Sequence, residues 1–489
     1  MEEYANRYLF PFHRVPKGCR IVIYGAGKLG QEYVRQVMET DWCSIVALVD
    51  RNHEAYRDFC FPVIPAERLH EKAFDFVVVA IRSSIYRREM LSMLLKQSIP
   101  REKIICQEAG EYRQLFQTET RLSDYCGRAY SHSEKSILFS MGDGFGDMLV
   151  QKKTIEAFLE LDDDIAIDIL CSSGKEFLEF LFEDCPQVKN IDLFLGNRFE
   201  EECRKYACAA RLAPMPAIEI CVRSEAHPFS KELECALEKL QHPPVEIRSA
   251  YEGIYRSIYQ GETFYTRGTC QGILPAREKW VHIPQDAVAG EMFQKMQLTN
   301  YITMNFGNGS TTEASLVAKS WSRERFESVI DKIHEFDPDL EIVQIGGGNA
   351  KHLKGADRYM LGRSFPLVAE ILRHSLLHID TEGGLVHLAT HLGTKCIVLF
   401  GPTQIPYYGY PENVNLHAGT CHDCYALYPD VNRCARDLAE PECMYSITPE
   451  MVMEAVREYL DGLDGKEKAV QKCTTSRASC RKICEDEVT

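Results

Sequence analysis

Chemistry in this chain has to come from a few short segments where glycines stand beside charged groups. One is Ser140-Met141-Gly142-Asp143-Gly144-Phe145-Gly146-Asp147-Met148-Leu149, a glycine loop that carries two carboxylates. A carboxylate held there can take a proton from an acceptor hydroxyl, or it can cap the helix that follows and neutralise orphan amides. A second segment, Asp380-Thr381-Glu382-Gly383-Gly384-Leu385-Val386-His387, is an acidic glycine loop entering a helical pattern. Its amides suit a phosphate, with a satisfied core histidine as the alternative reading of His387 alone. A third, Lys319-Ser320-Trp321-Ser322, puts a cation just before an amphipathic helix, where it either meets an anion or pairs with a nearby glutamate.

Two further segments bear ligand chemistry. Gly25, Gly27 and Gly30 have the spacing of a dinucleotide fingerprint, and Asp50 lies twenty positions after Gly30, where a ribose-binding carboxylate belongs. NAD(P) or another nucleotide is the expected ligand of such a loop, though turns of this kind also persist in domains that bind nothing. Cys421-x-x-Cys424 is followed by Cys434 after nine residues and by Cys443 after eight more. Four thiolates from one loop suit tetrahedral zinc or iron, with reduced, unliganded cysteines as the alternative.

The elements that must hold these segments alternate between strands and helices. The run Arg20 to Tyr24 precedes the first glycine loop, and strands over Ile45 to Val49 and Phe76 to Ile81 follow. The alternation restarts at Ser136, with strands Ile137 to Ser140, Ile165 to Leu170, Ile191 to Leu195 and Ile218 to Val222. It restarts again at Tyr301, with strands to Phe306, then Glu341 to Ile345, Leu376 to Ile379 and Cys396 to Phe400. Such series imply parallel, doubly wound sheets. The expected layout is an α/β chain in which residues 1–110 form a Rossmann-like unit and 111–134 a connector. Two further Rossmann-like units would span 135–298 and 299–465, the latter with a four-cysteine insertion at 418–446, and 466–489 would be a flexible tail. The aromatic stretch Arg248 to Pro284 has no period that places it.

With 489 residues, 45% apolar and 26% charged, the chain has material for two to three domains. Its net charge of −16 repels phosphate backbones, so nucleic acid is not an expected partner. No stretch approaches the roughly 18–20 apolar residues of a membrane helix. Met1 to Arg20 shows no charged leader with an apolar run, so a cytoplasmic location is expected. The twenty cysteines, spread along a large chain, are expected to stay reduced.

Four motifs in order over residues 134 to 462 resemble glycosyltransferase family 9, the heptosyltransferases: Gly146-Asp147-Met148-Leu149, Lys319-x-Trp321, the acidic loop to His387, and Phe400-Gly401-Pro402-Thr403. The resemblance implies a GT-B fold of two facing Rossmann-like domains. It also implies inverting transfer from a nucleotide sugar, typically ADP-heptose, to an acceptor hydroxyl. It makes Asp147 the catalytic base, with Asp143 as fallback, and Lys319 the neutraliser of donor phosphates. Thr381, Glu382, Gly383, Gly384 and His387 become the donor loop, with Asp380 as the other choice of acid. No catalytic metal is required by this pattern. The cysteine insertion is similar to that of heptosyltransferases acting on bacterial autotransporters, which carry an iron site and form rings, so one structural zinc or iron, a protein or glycan acceptor and a homo-oligomer are implied. The Rossmann-like unit in front is outside that pattern. Lipopolysaccharide-core heptosyl transfer, a sugar-nucleotide-binding protein without turnover, and a dehydrogenase built on the first unit alone are the other readings.

Overall fold

The structure, a computed structural model, describes residues 10–12, 14–57, 59–81, 84–106, 135–142, 144–193, 199, 202–212, 218–222, 228–241, 250–266, 272–275, 280–307, 318–419, 421–426, 434, 436, 438 and 440–462. The expected connector 111–134 and tail 466–489, and Asp143, lie outside these. Three sheets succeed one another along the chain.

The first unit runs β1 (Arg20–Tyr24), α1 (Lys28–Thr40), β2 (Ser44–Val49), β3 (Val63–Ile64), β4 (Phe76–Val79), α2 (Ser84–Lys96) and β5 (Ile104–Cys106). Its strands lie in the order β3-β2-β1-β4-β5, and all pairs are parallel. Helices cover both faces of such a sheet, so its strands are near-continuous apolar runs: Ile21, Val22, Ile23, Val77, Val78 and Val79 are all buried.

The second unit runs β6 (Ser136–Met141), α3 (Phe145–Leu161), β7 (Ala166–Cys171), α4 (Lys175–Leu181), β8 (Val188–Leu193), β9 (Cys208–Leu212), β10 (Ile218–Val222), α5 (Lys231–Gln241) and α6 (Ala250–Gln260), in the order β10-β9-β6-β7-β8. Here β10 departs from the expected parallel series and pairs antiparallel with β9. Only residues 213–217 separate the two strands, too few for the crossover of a dozen or more residues that a parallel pair requires.

The third unit runs α7 (Ala287–Met296), β11 (Tyr301–Asn305), α8 (Arg323–Phe336), β12 (Glu341–Gly346), β13 (Arg358–Leu361), α9 (Phe365–Arg373), β14 (His378–Thr381), α10 (Gly384–His391), β15 (Cys396–Leu399), α11 (Ile405–Tyr408), β16 (Val414–Leu416), α12 (Glu442–Tyr445) and α13 (Pro449–Gly462). Its order is β13-β12-β11-β14-β15-β16, parallel throughout. Two Rossmann-like units with their loops turned toward each other make a GT-B arrangement.

The first unit is joined to the rest through aromatics. Phe12 stacks on Tyr255 of α6 at 5.5 Å between centroids, and Trp42 meets the same ring edge-on at 4.7 Å. Lys17 Nζ donates to the Ile258 carbonyl at 3.1 Å. The stretch that had no legible period therefore contains a helix, and that helix is the seat of the first unit.

Candidate functional site

In open α/β sheets ligands bind at the carboxyl ends of strands. The loops leaving β6 and β14 are at such ends, and the helices they start, α3 and α10, meet head to head. A Cβ on Gly384 would stand 3.1 Å from Phe145 Cβ and 3.3 Å from the Gly146 nitrogen, and a Cβ on Gly146 would stand 2.3 Å from His387 Cδ2. Each glycine thus allows the backbone of one unit to touch the other. Phe145 also packs edge-on against Phe365 at 4.7 Å, and both contact Phe177.

Asp147 occupies the third position of α3, partly exposed, and its Oδ2 accepts from the Gly144 amide at 3.2 Å. That is the helix-capping role weighed for these aspartates. Asp147 also faces the cation of the other unit closely enough to raise the Lys319 pKa. Lys319 Nζ bonds Glu382 Oε2 at 2.7 Å, with the two side chains 18% and 6% exposed. Burial disfavours the ammonium, but Glu382, aided by Tyr425 and Asp147, more than reverses this and leaves the lysine above its ordinary value. Burial likewise opposes ionisation of Glu382, and Lys319 and His387 outweigh it, holding the carboxyl at about 2. The lysine is fixed through its neighbour Trp321, whose indole donates to the Ile447 carbonyl at 3.0 Å.

His387 is buried on α10. Its Nδ1 shares a hydrogen bond with the Tyr410 hydroxyl at 2.8 Å, and its Nε2 lies 3.6 Å from Glu382 Oε1. The two acids of this loop divide cleanly. Asp380 is taken by Asn305 Nδ2 at 2.9 Å, by the Thr381 amide at 2.7 Å and by His378 at 3.5 Å, all within the sheet. Glu382 instead joins Lys319 and His387. Thr381 ends β14, and Gly383 is an extended residue at the cap of α10, followed by Gly384 in its first turn.

Aromatic residues complete the site, and the sequence reading named none of them. Phe264 tilts against His387 at 4.9 Å, Tyr265 stacks on Tyr410 at 4.4 Å, and the Lys319 ammonium lies 4.2 Å from the Tyr425 ring centre and 6.0 Å from that of Tyr408. The segment carrying Phe264 and Tyr265 is anchored to α3 by a buried lysine, Lys153, whose Nζ donates to the Tyr265 carbonyl at 2.7 Å. The signal available was composition alone, an aromatic cluster between two sheets. A cavity of about 660 Å³ stands elsewhere, walled by Glu156 and Glu160 of α3, His391 of α10, Arg373 at the end of α9, and Trp280. The charged cluster does not line it.

In the first unit the glycine loop has the geometry of a fingerprint. A Cβ on Gly30 would stand 1.8 Å from the Gly25 carbonyl oxygen, so helix and strand pack there only through glycine. Gly25 has φ +114, and Gly27 caps α1. Asp50 Oδ2 accepts from the Ala26 amide of the glycine loop at 2.8 Å, and Oδ1 from the Asn52 amide of its own turn after β2 at 2.8 Å.

The four cysteines share one neighbourhood, and their donor chemistry suits a thiolate site. Cys421 and Cys443 are hydrogen-bonded to each other; with Arg436, this holds the Cys421 thiol at about 6. The hydrogen bond and burial push Cys443 up, with Cys424 and Cys434 adding to it by charge. Their spacing does not match a metal shell here: among the described residues no three His, Cys, Asp or Glu side chains are gathered as a metal would need. Among the described residues, no helix is long and apolar enough to cross a membrane.

No family model matches the chain, and no curated protein matches it. Among solved structures it is similar to E. coli ADP-heptose lps heptosyltransferase II over 66% of this chain and 98% of that one, at 14% identity and a TM-score of 0.43. A glycosyl transferase family 9 protein from Veillonella parvula is similar over 67% and 97%, at 16% identity and a TM-score of 0.41. TibC, an iron-containing dodecameric glycosyltransferase from enterotoxigenic E. coli H10407, is similar over 68% and 77%, at 14% identity and a TM-score of 0.43. The likeness is low in identity and in score, so the reading of the site rests on its own residues.

Proposed function

We propose that the head-to-head loops of β6 and β14 transfer a sugar from a nucleotide-sugar donor to an acceptor hydroxyl with inversion at the anomeric carbon. The observation that carries this reading is the approach of Gly384 to Gly146, which brings Asp147 and the Lys319–Glu382–His387 group to one place. The acceptor O–H gives its proton to Asp147 while its oxygen bonds the anomeric carbon. The bond from that carbon to phosphate oxygen breaks, and its electron pair leaves on the nucleoside diphosphate. Lys319 and the amides of Gly383 and Gly384 at the α10 start neutralise the charge that grows there. On the motif resemblance the sugar is a heptose, the donor ADP-heptose, and the acceptor a protein such as an autotransporter. The net charge of −16 argues against a lipopolysaccharide acceptor, which is itself anionic. Cys421, Cys424, Cys434 and Cys443 would draw together around one structural zinc or iron, and the Gly25 to Gly30 loop with Asp50 would take a nucleotide.

The test is turnover with ADP-, GDP- and UDP-sugars. Asp147→Ala should lose roughly 10²–10⁴-fold in rate with donor binding retained. Retained turnover refutes the base; a dead Asp143→Ala beside an active Asp147→Ala moves it to Asp143. One observation favours a second reading, a sugar-nucleotide-binding protein without catalysis: an oxygen of Asp147 already caps α3. Donor binding with no turnover on any acceptor would decide for it.

A further inference from the structure

Among the described residues, the first unit contributes no side chain to the charged cluster, and the cysteine loop contributes one that the transfer chemistry does not require. We infer that Tyr425 is a positioning residue for Lys319 and that Tyr255, on the helix where the first unit sits, braces the loop that carries it. The inference rests on the reading of Lys319 as the group that meets the donor's diphosphate.

A lysine is a point charge on a stem of four rotatable carbons, and it binds phosphate well only when something limits where it points. The Tyr425 ring does this from one side, with its centre 4.2 Å from Nζ, a distance at which the ring face attracts the ammonium. The ring is itself fixed by its backbone. Its amide donates to the Pro402 carbonyl at 2.8 Å, in the turn after β15. Its carbonyl accepts from Gln404 Nε2 at 3.2 Å, and the same nitrogen reaches the Asp423 carbonyl at 3.1 Å. Gln404 is fully buried.

Two residues in left-handed backbone conformation, Asp423 (φ 63) and Ala426 (φ 63), bracket the tyrosine. Side chains other than glycine adopt that conformation only when their surroundings require it. The surroundings include the Tyr255 hydroxyl, which donates to the Asp423 carbonyl at 3.1 Å. Tyr255 is in turn clamped between Phe12 and Trp42 of the first unit. A continuous path of contacts therefore runs from the first sheet through α6 and the cysteine loop to the ammonium.

Calorimetric titration of the full chain with ADP tests this. If wild type does not bind, or Lys319→Ala binds equally well, the underlying reading of Lys319 fails. Where binding depends on Lys319, Tyr425→Leu should weaken it by about 3- to 30-fold, the range of a partly desolvated cation–π contact. Tyr425→Phe, which keeps the ring, should restore wild-type affinity. The double variant K319A/Y425L should bind no more weakly than Lys319→Ala alone, because the ring acts only through the lysine. Tyr255→Phe should weaken ADP binding several-fold at unchanged melting temperature. Wild-type affinity in Tyr425→Leu, or additive losses in the double variant, would overturn the inference; wild-type affinity in Tyr255→Phe would remove the brace.

Discussion

Gly146→Ala sets two effects against each other inside one helix. Alanine is the better helix former, by about 1 kcal/mol over glycine in a helix interior. Its methyl, however, would stand 2.3 Å from His387 Cδ2 and 3.1 Å from Cγ and Nε2. Carbon atoms pack at about 3.5–4.0 Å, so the imidazole and the methyl must separate by more than about 1 Å. The imidazole cannot give cheaply, since it is 3% exposed and held by Tyr410, Glu382 and the Phe264 ring. Overpacking of this kind costs about 1–3 kcal/mol, so the net change in stability should be a loss of up to about 2 kcal/mol. Function should suffer more than stability, because a displacement of about 1 Å at a reacting centre can cost 10²-fold. Denaturant unfolding and single-turnover transfer measure the two effects separately. His387→Ala is itself destabilising, since it strips Tyr410 and Glu382 of a partner. It should cost less in the Gly146→Ala background than alone, because the clash goes with the ring, and transfer should stay impaired. A Gly146→Ala protein as stable and as active as wild type would refute the head-to-head contact of α3 and α10.

Lys319→Ala should weaken nucleoside-diphosphate binding by at most about 1.5–3 kcal/mol, the worth of a charge-assisted hydrogen bond before the cost of parting from Glu382, read by calorimetry; unchanged affinity returns Lys319 to a structural ion pair. The pair also sets a pH window. Glu382, held at about 2 in the fold, contributes stability that is complete above the ordinary carboxyl range and is lost as pH falls through 4.5 toward 2. Lys319, raised above 10.5, contributes stability that is complete below that value and is lost as pH rises past the folded pKa. Melting temperature should therefore sag at both extremes, and Lys319→Met should flatten the alkaline limb and blunt the acid one; equal curves for both proteins refute the pairing. Elemental analysis of protein purified without added metal should find close to one zinc or iron per chain, and chelation should speed proteolysis within residues 418–446. Less than a tenth of an equivalent would defeat the metal proposal.

Strands buried on both faces were legible because their apolar runs leave little choice, as in Ile21 to Tyr24 and Phe76 to Val79. The antiparallel edge at β10 was not legible because β9 (Cys208–Leu212) is absent from the expected strands, and without it the short 213–217 connection has nothing to join to β10. The helix Ala250–Gln260 was hidden by Gly253, although Tyr251, Tyr255 and Tyr259 recur at four-residue spacing and would have marked one face. Within the site, glycine and charge could be placed by motif. The choice between Asp380 and Glu382 turns on side-chain direction: residues two apart at the end of a strand share a face, yet only one of these reaches past the sheet to Lys319. Tyr410, Tyr425 and Phe264 come from distant stretches and carry no local signature.

Two helix starts that face each other place two positive dipole ends together. The chain meets that field with carboxylates of its own, Asp147 at one start and Glu382 before the other, and Glu382 already matches the charge of Lys319. Among the described residues, the cation that a diphosphate meets here is already paired. The diphosphate must take the lysine from a resident counterion, so its affinity is the difference between two ion pairs rather than the full strength of one. Binding is an exchange, and the same glutamate stands ready to reclaim the lysine when the nucleotide departs.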